Sequence, residues 1–226
     1  MKKVVVLSLL TLFAVSVMAQ DAKYEFKTAI IKMESSFGGT KSPSTVYIDD
    51  FGKKEARESV RNDRDGNASN MLNITDGTTT TSVNLTAKTA TKMELRQGQG
   101  GQGQGQGGQG QGGARQGQGS QGQSINYLKL TPEIKAARNI KELGEETVAG
   151  KPCKKYSLET SFGERTSKIT NWVWKGFVLK SETRNDNGEV TMSSVATEIQ
   201  ENATVPASKF VVPSGITVTT REARGR

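Results

Sequence analysis

The sequence holds few of the side chains that usually carry out catalysis. It has no histidine, and Cys153 is its only cysteine. Acid–base catalysis needs a group whose pKa lies near the working pH, and histidine supplies it most often. Zinc sites, Cys-His pairs and Ser-His-Asp triads are therefore excluded in their usual forms. No spacing of serine with lysine, or of two carboxylates, indicates another arrangement. We expect a protein that is not an enzyme, with no catalytic residue, no metal site and no cofactor.

Cys153 cannot form a disulfide within the chain, because there is no second cysteine. A reactive cysteine needs a neighbour that lowers its pKa. Lys154 is adjacent in sequence, but consecutive side chains of a strand point to opposite faces. A free cysteine without such a neighbour behaves as a small apolar residue. We predict that Cys153 is buried in a strand.

Two short acidic segments resemble parts of calcium-binding loops. Residues 63–67 read Asp-Arg-Asp-Gly-Asn, and residues 185–189 read Asn-Asp-Asn-Gly-Glu. The first segment lacks the acidic residue, about five positions beyond the loop glycine, that closes an EF-hand. Asn, Asp and Gly at this density are typical of plain turns. The sequence predicts two turns here rather than two metal sites.

Three aromatic residues are the candidate ligand-binding residues of the chain. Trp172 and Trp174 lie on the same face of one predicted strand, and Phe177 begins the partner strand across the Lys175-Gly176 turn. Aromatic pairs across two strands stabilise a sheet, so a place in the sheet core is the first interpretation. The competing interpretation is the apolar lining of a concave ligand site.

The N-terminus has the three parts of a secretory signal peptide. Lys2 and Lys3 are basic, residues 4–17 are almost entirely apolar, and Val17-Met18-Ala19 ends in a small residue. The apolar run is short for a membrane span, which needs about 20 residues. A lipoprotein would carry cysteine directly after the cleavage site, where this chain has Gln20. We expect residues 1–19 to be cleaved and the protein to be periplasmic, neither membrane-spanning nor lipid-anchored.

Residues 97–124 form a low-complexity tract in which Gly and Gln fill 24 of 28 positions. Such a segment cannot bury enough apolar surface to offset the entropy of ordering, so we expect it to be disordered. It is either an insertion in a surface loop or a mobile arm that binds partners. Because the sequence on both sides predicts strands, residues 20–226 are expected to form a single domain that the tract interrupts.

The formal net charge of the chain is +8. A basic protein can attract nucleic acid or anionic lipid head groups, or the charge can serve solubility. Export argues against a nucleic-acid partner. An anionic lipid remains a partner compatible with the charge.

The remaining sequence predicts short strands separated by Gly, Asn and Pro turns. The predicted strands are Lys23 to Ser35, Ser44 to Asp49, Lys53 to Val60, Ser69 to Ile74, Thr78 to Leu85, Glu145 to Val148, Cys153 to Glu159, Ser167 to Trp174, Phe177 to Thr183, Glu189 to Glu198, Lys209 to Val212 and Ile216 to Thr220. Thr131-Pro132-Glu133 predicts a helix start, and the helix ends near Asn139 or at Gly144. We expect a mainly β fold: a large curved antiparallel sheet with one or few covering helices.

Three motifs in the C-terminal half carry a family resemblance. Residues 144–156 read Gly-Glu-Glu-Thr-Val-Ala-Gly-Lys-Pro-Cys-Lys-Lys-Tyr, residues 174–180 read Trp-Lys-Gly-Phe-Val-Leu-Lys, and residues 206–215 read Pro-Ala-Ser-Lys-Phe-Val-Val-Pro-Ser-Gly. They resemble motifs of an exported bacterial domain-of-unknown-function family in the LolA-like (outer-membrane lipoprotein-sorting protein-like) superfamily. The resemblance covers about a third of the chain, and the Gly/Gln-rich tract departs from the pattern.

The resemblance implies an unclosed antiparallel half-barrel whose concave side is covered by helices and, in the lipoprotein carriers, takes acyl chains. No arginine of this chain aligns with the arginine through which those carriers release their lid. The function that the resemblance implies is non-enzymatic binding of a lipid, a lipoprotein acyl chain or another apolar ligand. The alternative is a cell-envelope interaction or scaffold protein that binds an envelope protein or polymer through the Gly/Gln-rich arm.

Overall fold

The computed structural model describes residues 22–62, 66–94, 125–162 and 165–221. These residues form one sheet of twelve strands, one short α-helix and three 3-10 turns. The strands are β1 (Ala29–Phe37), β2 (Thr40–Asp49), β3 (Lys54–Asn62), β4 (Ala68–Asp76), β5 (Thr79–Asn84), β6 (Thr89–Glu94), β7 (Lys141–Val148), β8 (Lys151–Phe162), β9 (Arg165–Trp174), β10 (Phe177–Arg184), β11 (Val190–Glu201) and β12 (Thr217–Arg221). The helix α1 is Pro132–Ala137, and the 3-10 turns are Asp50–Gly52, Tyr127–Lys129 and Ala207–Phe210.

The sheet is open. Its strand order is β12-β6-β5-β4-β3-β2-β1-β11-β10-β9-β8-β7, so that β12 and β7 are the two edges and do not pair with each other. Neighbouring strands are antiparallel, except that β12 runs parallel to β6. The predicted fold class is confirmed: a mainly β protein built on one large, unclosed sheet with few helices. Within the described part of the chain, no helix is long and apolar enough to cross a membrane.

The predicted first strand is too long at its start. The strand begins at Ala29, and residues 22–28 instead pass over one face of the sheet as a segment that we call the N-terminal strap. Its backbone bonds to loops rather than to a neighbouring strand: the Tyr24 amide donates to the Phe51 carbonyl at 3.3 Å, and the Glu25 amide to the Lys175 carbonyl at 3.1 Å. These bonds satisfy the polar backbone groups without a ladder.

Three further predictions differ from the structure in detail. The strand β6 is absent from the predicted set. The predicted strand from Lys209 to Val212 is wrong, because Ala207–Phe210 is a 3-10 turn that follows Pro206. The last strand is present, but it pairs in parallel with β6 because residues 202–216 carry the chain from β11 across the sheet.

The predicted turn and helix signals at two sites are confirmed. Lys175 and Gly176 form a two-residue hairpin with φ of 48° and 85°, which is the pattern of a type I′ turn. At the start of α1, the Thr131 hydroxyl accepts a hydrogen bond from the Ile134 amide at 3.4 Å, and Pro132 is the first helical residue. The helix ends at Ala137 and Asn139 follows with a φ of 48°, so it is shorter than the limit at Gly144.

The core divides between the two faces of the sheet. One face, which we call the strap face, carries a cluster built from β1, β2 and β7 to β11 together with Phe26 of the strap. Its sheet members are Ala29, Ile31, Met33, Val46, Ile48, Val148, Cys153, Trp172, Trp174, Phe177, Leu179 and Ala196. Alternate residues of a strand share a face, so these positions follow from the period of two.

The opposite face carries two separate clusters, each under an irregular segment. Ala56, Leu72, Ile74, Val83 and Ala90 pack beneath Phe210, Val212 and Ile216 of the segment after β11. Ile140, Tyr156 and Val173 pack beneath Ile125, Tyr127 and Leu130 of the segment before β7. The apolar side of the sheet therefore changes between β2 and β3, and the strap face of β3 to β6 is left polar.

Candidate ligand site

Four aromatic rings pack in series on the strap face. Tyr24 stacks on Phe26 with ring centroids 5.2 Å apart, and Phe26 stacks on Trp174 at 5.1 Å. Phe177 meets Tyr24 edge to face at 5.3 Å. Two of the rings come from the strap and two from the β9–β10 hairpin. The strap therefore covers Trp174 and Phe177, which are 5% and 6% exposed.

Trp172 is covered by charged side chains rather than by the strap. Its indole Nε1 donates a hydrogen bond to Glu146 Oε2 at 2.8 Å. The ammonium groups of Lys155 and Lys180 lie 4.7 and 4.2 Å from its ring centroid. The hydrogen bond gives a buried indole N–H the partner that it needs, and the lysine stems shield the ring from water.

Two more lysines lie against Trp174. The ammonium groups of Lys151 and Lys175 are 4.9 and 5.2 Å from its ring centroid. Glu201 pairs with both, at 3.6 Å from Lys151 Nζ and closer to Lys175 Nζ. The two tryptophans thus carry four ammonium groups between them, each in the attractive position above an aromatic ring.

The carboxylates of this rim are held in their charged form. The hydrogen bond from the Trp172 indole, with a second from Lys155, lowers the pKa of Glu146. The hydrogen bond from Lys175, with attraction from Lys151, lowers the pKa of Glu201. Glu201 pairs with Lys151 and Lys175, Glu146 with Lys155, and Glu182 with Lys180, so each lysine of the rim around the tryptophans has a carboxylate partner.

Two glycines let the strap approach the sheet. A Cβ on Gly52 would lie 2.6 Å from the Tyr24 ring, and a Cβ on Gly176 would lie 2.5 Å from the Lys23 carbonyl oxygen. Both glycines have a φ of 85°, which side chains rarely adopt. Lys23 also pairs with Glu55 at 2.9 Å. The strap is thus seated against the β2–β3 and β9–β10 turns.

The strap face becomes polar beyond β2. In one row across the sheet, Ile31 lies opposite Val46, Val46 opposite Arg57, Arg57 opposite Asn73 and Asn73 opposite Ser82. Residues opposite each other on antiparallel strands share a face. Arg57 is partly buried, and burial lowers its pKa, while nearby Glu55 and Tyr24 act in the opposite direction.

The face and the hairpin pairing that the sequence predicts for the three candidate residues agree with the structure. Trp172, Trp174 and Phe177 share the strap face, and Phe177 pairs with Trp174 across the hairpin. Whether they bind a ligand stays a prediction. The sequence does not indicate Tyr24, Phe26 or Arg57, since alternation in a strand marks a face but does not identify what covers it.

Cys153 belongs to the buried cluster of the strap face. Cys153 is a free thiol, 1% exposed, and burial raises its pKa. Residues 185–189 form a turn in which Asn185 Oδ1 accepts hydrogen bonds from the amides of Asn187 and Glu189 at 3.1 and 2.9 Å. Residues 63–65 of the other acidic segment, the tract 97–124 and the signal 1–19 lie outside the described residues. Among the residues described, no group of three or more acidic or cysteine side chains could hold a metal ion.

The fold has counterparts among solved structures. An uncharacterized conserved protein from Thermus thermophilus is 8% identical with a TM-score of 0.54, over 87% of this chain and 92% of that one. MucB is 14% identical with a TM-score of 0.50, over 88% of this chain and 61% of MucB. A domain from Vibrio parahaemolyticus described as an outer membrane lipoprotein-sorting protein domain is 11% identical with a TM-score of 0.34. The match covers 83% of this chain and 91% of that domain.

At these identities the likeness concerns the fold alone. No protein-family model matches the chain, and no curated protein matches its sequence.

Proposed function

We propose that this protein is a non-enzymatic periplasmic protein that binds a lipid or another apolar ligand against the strap face of its open sheet. The observation that supports the proposal most directly is the cover over the aromatic residues. Trp174 and Phe177 are buried by a seven-residue strap at the start of the described chain, and not by a second layer of sheet or helix.

A strap of this kind can exchange with a ligand at modest cost. Its backbone is held at the β2–β3 and β9–β10 turns, and its contribution to the core is two aromatic rings. An acyl chain that replaced Tyr24 and Phe26 would restore the buried apolar contact that they provide, at about 25 cal/mol for each Å² covered. The sheet itself would keep its hydrogen bonds.

Two measurements test the proposal. Native mass spectrometry of protein isolated from its own periplasm should show a bound lipid mass, and a fluorescent fatty acid should bind the purified protein. Trp174→Ala should weaken that binding, whereas Phe37→Ala should not, because Phe37 is 54% exposed at the far end of β1. Absence of bound lipid together with no fatty-acid binding would overturn the proposal.

The proposed location has its own test. If residues 1–19 are a signal peptide, the mature protein isolated from the periplasm begins at Gln20, and its intact mass identifies that end. A protein that keeps Met1, or that fractionates with the cytoplasm, contradicts the periplasmic proposal.

The second candidate is an envelope interaction or scaffold protein. The observation that favours it is the pair of open edges: β12, whose five residues are all exposed, and β7, which pairs only with β8 among the described strands. Open edges can accept a strand from another chain. MucB has been solved in complex with MucA. Deleting residues 97–124 separates the candidates: lost capture of an envelope partner with unchanged fatty-acid binding favours the scaffold.

A further inference from the structure

The boundary between the apolar and polar parts of the strap face carries two polar side chains, Arg57 and Ser44, that make no side-chain hydrogen bond to a described residue. Arg57 is partly buried and makes no hydrogen bond or ion pair with any residue that the structure describes, although Glu55 and Tyr24 are near enough to attract its charge. The nearest carboxylate on its own strand, Glu55, is paired with Lys23. A guanidinium has five N–H donors in a planar arrangement that matches a carboxylate or a phosphate.

The second group is the hydroxyl of Ser44, on the neighbouring strand β2. Ser44 Oγ is fully buried and has no partner in the described part of the chain. Ser44 lies opposite Ser59 and Arg57 lies opposite Val46, so Ser44 and Arg57 are diagonal neighbours on the same face. Diagonal positions in an antiparallel pair are about 7–8 Å apart, within reach of a long side chain. A guanidinium and a buried hydroxyl, neither of them hydrogen-bonded to a described residue, thus lie together.

The surroundings of these two groups are asymmetric. On one side of Arg57 lie Val46 and Ile31, which belong to the buried cluster of the strap face. On the other side lie Asn73 and Ser82, which are polar and partly exposed. A charged head at this boundary would leave an attached chain free to run along the apolar side, beneath the strap.

We infer that Arg57 and Ser44 form the head-group subsite for a single-chain amphiphile with a carboxylate or phosphate head. This inference rests on the proposed function and specifies the ligand that it leaves open. The guanidinium supplies charge-assisted hydrogen bonds to the anion, and the Ser44 hydroxyl donates one more. The alkyl chain of the amphiphile then lies along the apolar side of Arg57, against Val46, and takes the place of the strap's aromatic rings.

Binding of matched probes to the full-length mature protein tests the subsite. Dodecanoate, dodecyl phosphate and dodecanol share one chain length and differ in the head, and inorganic phosphate is a head without a chain. Below their micelle concentrations, titration calorimetry should show both anionic probes binding more tightly than dodecanol. Arg57→Met should weaken the anionic probes about 10- to 100-fold, the range expected for hydrogen bonds to a charged group, and leave dodecanol unchanged.

Two variants and a control keep folding and binding apart. Because Ser44 Oγ has no partner and Arg57 makes no hydrogen bond among the described residues, Ser44→Ala and Arg57→Met should leave the urea midpoint of the ligand-free protein nearly unchanged. Arg57→Lys keeps the positive charge but loses the paired N–H donors of the guanidinium, so this variant should bind the anions with intermediate affinity. Arg61→Met removes the same charge from an exposed position of β3 and should change no affinity.

The outcomes separate this inference from the proposed function. Suppose that all three dodecyl probes bind, and that Arg57→Met weakens the binding of none of them or weakens the binding of dodecanol as much as that of the anions. The head-group subsite is then wrong, and the apolar site stands. If inorganic phosphate binds as tightly as dodecyl phosphate, the subsite takes a free anion and the amphiphile is wrong. If the wild-type protein binds none of the three dodecyl probes, the proposed function fails, and the inference fails with it.

Discussion

Phe26 stacks on Trp174 with ring centroids 5.1 Å apart and planes 19° from parallel. One ring belongs to the strap and the other to the end of β9, so this contact joins the start of the described chain to its C-terminal half at one buried site. It explains why a tryptophan that the sequence offers as a ligand residue is 5% exposed. The strap occupies the place that we assign to a ligand.

Removing the Phe26 ring should destabilise the protein and open the site. Phe26 is 2% exposed, and truncating a buried phenylalanine to alanine costs about 3–5 kcal/mol. Phe26→Ala should therefore lower the urea midpoint strongly, while the tryptophan fluorescence moves to longer wavelength as water reaches Trp174. Phe37→Ala is the matched control, and its cost should stay within about 0.5 kcal/mol. An unchanged midpoint in Phe26→Ala would mean that the strap contributes nothing to the core.

Gly176 should tolerate alanine worse than Gly150, although both have a positive φ. Alanine in a left-handed conformation costs about 1–2 kcal/mol at either position. Around Gly150 there is open space, whereas a Cβ on Gly176 would lie 2.5 Å from the Lys23 carbonyl oxygen. Gly176→Ala must therefore also displace the strap.

Hydrogen exchange at the Glu25 amide measures that displacement directly, because this amide donates to the Lys175 carbonyl. Exchange should be much faster in Gly176→Ala than in wild type, and unchanged in Gly150→Ala. Equal exchange in the two variants would contradict the close approach of the strap.

The sequence identifies the features of the sheet that depend on local pattern. Alternation places Trp172 and Trp174 on one face, and the Lys175-Gly176 pair marks a hairpin, because both are properties of neighbouring residues. The strap resembles a strand in sequence because Tyr24 and Phe26 alternate with charged residues just as a strand would. Its actual path depends on the carbonyls of Phe51 and Lys175, which are remote in sequence.

The polar subsite could not be found from the sequence for a related reason. On β2 the buried residues Val46 and Ile48 lie on the strap face, but on β3 the buried residue is Ala56, on the opposite face. The pattern of β3 alone would place Arg57 on a solvated surface. Only the pairing of β2 with β3 shows that Arg57 lies opposite Val46 and diagonal to Ser44.

Cys153 should be inert in the folded protein. Its thiol is 1% exposed, and burial raises its pKa, so the thiolate that reacts with disulfide reagents is both scarce and inaccessible. At pH 8 the native protein should show no measurable reaction with a disulfide reagent over minutes, and one thiol per chain should react at once in denaturant. Rapid reaction of the native protein would show that the Trp174 region opens on that timescale.

The Glu201 carboxylate should make stability fall in acid. Its pKa is lower in the folded protein than its value of 4.5 in an unfolded chain, chiefly because Lys175 donates a hydrogen bond to it. Below about pH 4.5 the unfolded chain therefore binds more protons than the folded one, so stability is lost as the pH falls through the lowered pKa. Above that window the full contribution is present.

Glu201→Gln tests this sign. The variant should be less stable than wild type at pH 7, because it leaves Lys151 and Lys175 without their carboxylate partner. The difference should shrink as the pH falls below about 4.5 and through the lowered pKa of Glu201, where the wild-type carboxyl is itself protonated. Glu159→Gln removes an exposed carboxyl of β8 and serves as the control, with a stability profile parallel to wild type. A difference between Glu201→Gln and wild type that stays the same across the whole acid range in which the folded protein persists would show that the effect is one of packing, not of charge.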